Sequence, residues 1–264
     1  MAETTIGQYY PKNSIVHKLD PRVKLFGTLV YTISLFLIRQ MMDFVFVFLC
    51  LMIVVALSKI PFLKIIKGIR GIIFIVLFGM IFNLFFIKEG QILFEYRFLK
   101  ITDTGLYTSL FVAIRLVLLV MGTSIMTLAT TPTDLCDGLE KSFSPLKKIR
   151  VPVHEIAMIM SLSLRFIPML MDESERIVKA QKARGADFGG RNVFKRVAAY
   201  IPVIVPLFVS AMNRAVDLAT AMEARCYSGG DRTKLHPLRY KRPDHIAYAL
   251  IVMYLVVIVV LSRP

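Results

Sequence analysis

Apolar residues gather into five long runs, Leu25–Ile38, Phe44–Leu57, Ile72–Ile87, Leu106–Ala129 and Ile246–Leu261. Only the fourth exceeds the roughly 20 residues that comfortably cross a bilayer core. The others borrow flanking residues, with terminal lysines and arginines snorkelling outward. The pattern predicts an all-α membrane protein: about five transmembrane helices, joined by long cytoplasmic or interfacial helices that cross each other.

The polar positions between the runs set a direction. Lys12, Lys18, Arg22 and Lys24 precede the first run, and Lys59, Lys64, Lys67 and Arg70 follow the second with no acid among them. Only Arg39 and Asp43 separate the first two runs, and Lys88, Arg97 and Lys100 after the third are balanced by Glu89, Glu95 and Asp103. Positive loops stay inside, so the reading is a multi-pass protein of the cell membrane with its N-terminus in the cytoplasm and its C-terminus outside. The N-terminus is polar from Met1 to Asp20, so insertion is expected to use the internal runs rather than a cleaved signal.

The segment between the fourth and fifth runs is different. It is rich in charge and punctuated as helices: Thr131-Pro132-Thr133-Asp134 opens one, Ser144-Pro145 and Val151-Pro152 break the next stretch, and Gly185 with Gly189-Gly190 ends another. Three parts follow: 1–130 as an N-terminal arm with four spans, 131–243 as a cytoplasmic coupling-helix domain, and 244–264 as the last span. Its helices begin apolar (Ile156–Leu170, Val197–Met212) and end charged, which suits helices that dip into the interface and emerge. A sixth and a seventh crossing through these halves is the competing count. Arg165, Pro202 and Pro206 interrupt it, and Pro61, Pro168, Pro202 and Pro206 are expected to kink or end helices.

Composition agrees with this class. Of 264 residues, 56% are apolar and 19% charged, with mean hydropathy +0.64, against about 45–50% and 25% in soluble domains. The net charge of +15 is concentrated in loops between apolar runs, which makes it an orientation signal rather than a nucleic-acid footprint. Cys50, Cys136 and Cys226 stand apart without a CxxC, so neither a disulfide framework nor a metal site is predicted. His154-Glu155 has no second histidine at helical spacing, and His17, His236 and His245 are scattered. No paired acids, nucleophile with base or phosphate-binding loop appears, so no catalytic residue is assigned. Arg115 interrupts the fourth run, read as paired inside the bundle or snorkelling, and Asn83 reads as an interhelical hydrogen bond. Met158, Met160, Met169, Met171, Met212 and Met222 are either filler or an adaptable platform.

Aligned on their ends, Phe166–Gly185 and Leu207–Cys226 are two copies of one design, offset by 41 residues. Each begins apolar near a proline, becomes charged and finishes Ala183-Arg184-Gly185 or Ala224-Arg225-Cys226. Asp172 with Arg176 and Glu175 with Lys179 form i,i+4 pairs, and Ala211, Ala215 and Ala219 make a ridge of small side chains for a close helix crossing. A guanidinium at a helix end offers a planar fork that pairs bidentately with a carboxylate. It also meets the negative end of the helix dipole.

These two endings resemble the paired Ala-Arg-Gly motifs of the transmembrane coupling (T) component of energy-coupling factor transporters, the EcfT family. The run Ser14-Ile15-Val16-His17-Lys18-Leu19-Asp20-Pro21-Arg22-Val23-Lys24-Leu25 is similar to that family's N-terminal motif. The resemblance covers essentially the whole chain and departs at Cys226, where glycine is expected. That leaves Gly229-Gly230 as a later candidate stop. It implies a non-catalytic subunit whose crossed helices seat the two arginine motifs on a pair of cytoplasmic ABC-type ATPases, which bind the ATP and Mg²⁺. A membrane S component would bind the vitamin or other micronutrient. The rival readings are a self-sufficient secondary transporter or channel, which needs a polar pathway through the spans, and a membrane-embedded enzyme.

Overall fold

A computed structural model describes residues 9–87, 91–96, 99–186, 188–189, 193–227 and 238–262. In chain order these form α1 (Ile15–Lys18), α2 (Pro21–Leu37), α3 (Asp43–Ser58), α4 (Phe62–Arg70) and α5 (Ile73–Phe86). An antiparallel hairpin of β1 (Ile92–Tyr96) and β2 (Leu99–Thr102) follows, paired from Ile92↔Thr102 to Tyr96↔Leu99. Then come α6 (Asp103–Ala129), α7 (Pro132–Ser142), a 3-10 helix (Ser144–Ile149), α8 (Val153–Ala183), α9 (Val193–Ala224) and α10 (Arg242–Leu261). The chain divides into two compact units, Met1–Ser142 with Leu238–Pro264, and Phe143–Pro237.

In the first unit, α2 starts as its sequence dictates. Asp20 caps it by accepting from the Arg22 N–H, and Pro21 occupies the first turn, where no N–H is needed. Its core joins Leu35 of α2, Val47 and Leu51 of α3, Leu118, Met121 and Ile125 of α6, and Ile258 of α10. Lipid is as apolar as leucine, so polar contacts and close packing must fix these helices against each other. The Tyr31 hydroxyl donates to the Leu118 carbonyl at 2.7 Å, and its ring lies against Gly122. Ser34 donates to the Tyr31 carbonyl at 2.7 Å and pairs with the Tyr254 hydroxyl at 2.9 Å. Arg115 is paired inside the bundle: it donates to the Ile38 carbonyl at 3.0 Å, beyond the end of α2 where helical partners run out. Its guanidinium lies 4.8 Å from the Phe111 ring centre. The outer face of α5, with Phe74, Leu77, Phe78 and Ile81, is exposed and apolar, as a lipid-facing helix requires.

The arm before α2 is held by histidine. The His17 Nε2–H donates to the Tyr10 carbonyl at 3.0 Å, and Nδ1 lies 2.7 Å from the Ser14 hydroxyl, which donates to it when the ring is neutral. Burial and nearby Lys24 push the His17 pKa below its usual 6.5, outweighing the pull of the Tyr10 carbonyl in the other direction. A lowered folded-state pKa means the folded arm binds fewer protons than the unfolded one. Its stabilisation is therefore complete above pH 6.5 and falls as pH drops through and below that value. Amide exchange of residues 9–19 is expected to quicken between pH 7 and 5, and His17→Gln to remove that pH dependence. A pH-independent arm would contradict the neutral-ring assignment.

Among the described residues, four helices are long and apolar enough to cross a membrane by length and composition: α6, α8, α9 from Val197 onward, and α10. Two of them, α8 and α9, belong to the segment expected to stay at the interface or in the cytoplasm. Both also run unbroken through prolines expected to kink or end helices, Pro168 in α8, and Pro202 and Pro206 in α9. A proline removes one donor and frees one carbonyl, and the carbonyl needs only another partner for the helix to continue. Gln181 Nε2 supplies one, donating to the Pro202 carbonyl that Pro206 cannot reach, in a long bond of 3.5 Å.

Candidate functional site

The second unit carries the two predicted endings, and they close by the same bonds. At the end of α8 the Gly185 N–H donates to the Lys182 carbonyl at 3.0 Å and the Ala186 N–H to the Gln181 carbonyl at 3.0 Å. At the end of α9 the Cys226 N–H donates to the Glu223 carbonyl at 2.8 Å and the Tyr227 N–H to the Met222 carbonyl at 3.0 Å. This crossed pair of bonds is the Schellman motif, which needs a left-handed residue just past the cap. Gly185 has φ 87° and Cys226 has φ 59°. The departure from glycine therefore leaves the stop where the first copy has it. Gly229 and Gly230, the later candidates, lie outside the described residues.

Each arginine thus occupies the cap itself, one residue before the left-handed turn. The chain turns away immediately afterwards, so Arg184 and Arg225 stand exposed, as do Ala183, Gly185, Ala224 and Cys226. The cap bonds are made by the backbone and do not use the guanidinium groups. Cysteine is a poor occupant of a left-handed position, where a Cβ costs roughly 1–2 kcal/mol. Cys226→Gly is accordingly expected to stabilise this helix end by up to about 1 kcal/mol, whereas Gly185→Val destabilises the other by about 2 kcal/mol. Amide exchange of residues 222–227 and 181–186 reads both changes, and equal effects at the two ends would exclude the backbone explanation.

Between the two ends the helices meet in an ion pair. Arg214 Nη2 donates to Glu173 Oε2 at 3.1 Å, and Nη1 contacts the Met169 sulfur. Glu173 and Arg214 are 41 residues apart, the offset that superimposes the two copies, so the pair joins equivalent positions. With Met169 and Glu173 beside Arg214, and Gln181 beside Pro202, the helices run antiparallel. Arg184 and Arg225 each lie eleven residues beyond the ion pair, about 16 Å along their own helices. The arginines therefore extend in opposite directions from one crossing.

Of the ridge assigned to the crossing, Ala211 is half-buried while Ala215 and Ala219 are exposed. The polar contacts described between the helices run through Arg214 and Gln181. The sequence carried a signal for this: the 41-residue offset sets an acid opposite a base at 173 and 214. Lys179 and Glu175 pair at 3.7 Å on the exposed surface. Among the described residues no group of three or more His, Cys, Asp or Glu is arranged to hold a metal.

Comparison with known proteins places these features in one group. Residues 12–236 match the model of the CbiQ family, described as cobalt transport protein. The chain is 45% identical over 261 residues to the energy-coupling factor transporter transmembrane protein EcfT of Ruminiclostridium cellulolyticum, covering 98% of this chain and 97% of that one. It is 45% identical over 263 residues to EcfT of Clostridium kluyveri (99% and 97% covered), and 44% identical over 255 residues to EcfT of Bacillus subtilis (96% of each). With two matched arginine caps, a bundle of apolar helices and full-length identity of this order, the chain belongs to the EcfT family of energy-coupling factor transporter transmembrane proteins.

Proposed function

We propose that this chain is the coupling subunit of its transporter, linking two cytoplasmic ABC-type ATPases to a membrane S component that binds a vitamin or other micronutrient. Arg184 and Arg225 each dock on one ATPase, with Ala183, Gly185, Ala224 and Cys226 keeping the approach open. ATP and Mg²⁺ stay on the ATPases, and this chain contributes no catalytic group. The N-terminus lies in the cytoplasm and the C-terminus outside.

One observation carries the reading: two exposed guanidinium groups on identically closed helix ends, set on either side of a contact between equivalent residues. A single arginine cap is common and needs no partner. Two caps closed by the same backbone bonds present the same chemistry twice, which fits a partner that is itself a pair of like subunits. Motion of that pair would then reach both helices through the Glu173–Arg214 crossing.

The test is purification of the tagged chain from its native membrane under mild detergent. Two ABC-type ATPase polypeptides and a small apolar membrane protein are the expected companions. Substrate uptake by the purified chain alone in liposomes, without ATPases, would overturn the assignment in favour of a self-sufficient carrier. Thiol labelling of Cys226, and of a cysteine placed at Arg184, checks sidedness: both must react from the cytoplasmic face.

A further inference from the structure

We propose that the N-terminal motif is a clasp that pins the two chain segments leading into and out of residues 143–237. Five consecutive residues, Asp20 to Lys24, hold both. On the outgoing side, Lys24 Nζ donates at 3.0 Å to the carbonyl of Ala129, the last residue of α6, and at 3.0 Å to that of His17. Just beyond, Gly138 of α7 lies so close to α2 that a Cβ there would sit 2.9 Å from Pro21 Cβ and 3.2 Å from Leu25 Cδ1. On the returning side, Asp244 is buried and accepts twice: from the Asp20 N–H at 2.9 Å and from the Lys241 N–H at 2.7 Å. Arg22 grips Asp20 with two N–H donors at 3.0 and 2.9 Å and lays its guanidinium 3.8 Å from the centre of the Tyr240 ring.

Ordinary helix caps find partners within a few residues. Here the partners are 105 residues away for Lys24 and 224 away for Asp20. The carboxylate of Asp20 serves the start of α2 and orients Arg22, while its N–H is spent on α10. One turn of chain is therefore shared by three helix ends. Asp20, Arg22 and Lys24 act as positioning residues for the segment that bears Arg184 and Arg225. This role rests on the coupling reading above, because helices pushed by a motor transmit displacement only if their roots are held.

Two measurements separate the clasp from that reading. In the full-length chain in detergent, Arg22→Gln is expected to speed amide exchange about tenfold at 238–246 and at 130–142 together. Lys24→Met should produce the same double response from the other side. Acceleration limited to the segment nearest the substituted residue, or absent from both, overturns the clasp whether or not ATPases bind. Should Arg22→Gln fold poorly, Tyr240→Leu at the exposed end of the same contact carries the reading. In liposomes holding the ATPases and the S component, the loosened variants are expected to hydrolyse ATP within about twofold of the parent while substrate taken up per ATP falls about tenfold. Unchanged uptake per ATP overturns the positioning role and leaves the ATPase docking assignment intact.

Discussion

Reversing both caps at once, Arg184→Glu with Arg225→Glu, is expected to leave a folded membrane protein that no longer retains its ATPases. Neither guanidinium is spent on holding its helix end: the bonds that close α8 and α9 are backbone bonds. Exposed substitutions of this kind usually change stability little. A partner carboxylate, by contrast, would lose a bidentate pair and face a like charge, and repulsion of this sort costs a complex several kcal/mol. Because the two sites bind one assembly, each single reversal should weaken retention and the double reversal abolish it, by about 100-fold or more. Arg→Lys at both positions should recover only part, since an ammonium keeps the charge without the fork. Copurification with quantification of ATPase per chain, beside thermal stability in detergent, reads all of these. Full retention by the double variant would refute arginine docking.

Gly122→Val has the largest expected effect on stability. A Cβ at this position would fall inside the ring of Tyr31, with no room between α2 and α6. The ring cannot simply swing aside, because its hydroxyl is fixed to the Leu118 carbonyl at 2.7 Å within the same contact. Overpacking at the top of its usual range, about 3 kcal/mol, is the expected cost. Tyr31→Leu in the Gly122→Val background should restore part of the loss, and the two substitutions should be strongly non-additive. Thermal unfolding and the fraction of monodisperse protein after extraction provide the measurement. Stability equal to the parent would mean that α2 and α6 are not packed through this glycine.

Much of the first unit was legible from apolar runs alone. The run Phe44–Leu57 is α3 to within one residue at each end, and Ile72–Ile87 is α5 to within one. Predicted starts at Leu25, Leu106 and Ile246 fell three to four residues late for α2, α6 and α10, because polar caps and first turns carry no apolar signal. The short β1–β2 hairpin and α4 went unseen for a related reason. Nine residues of helix, or a strand of four or five, give too little periodicity to stand out between spans. The stop after Ala183 was readable because Gly185 announces it, while the matching ending at Ala224 left its exact stop open, because a cysteine stands in the left-handed position. Pro168, Pro202 and Pro206 do not end their helices, and at Pro206 local sequence shows the donor lost but not the distant amide of Gln181 that takes up the Pro202 carbonyl.

The lengths of the helices in the first unit bear on the lipid around them. α6, with 27 residues, reaches about 40 Å, whereas α5 with 14 and α3 with 16 reach only about 21 and 24 Å. A hydrocarbon layer of about 30 Å exceeds both, a mismatch met by local thinning of the layer or by snorkelling of flanking residues. The annulus around this protein is expected to be uneven and thinnest beside α5. Acyl chains shorter than those of the bulk membrane should collect there.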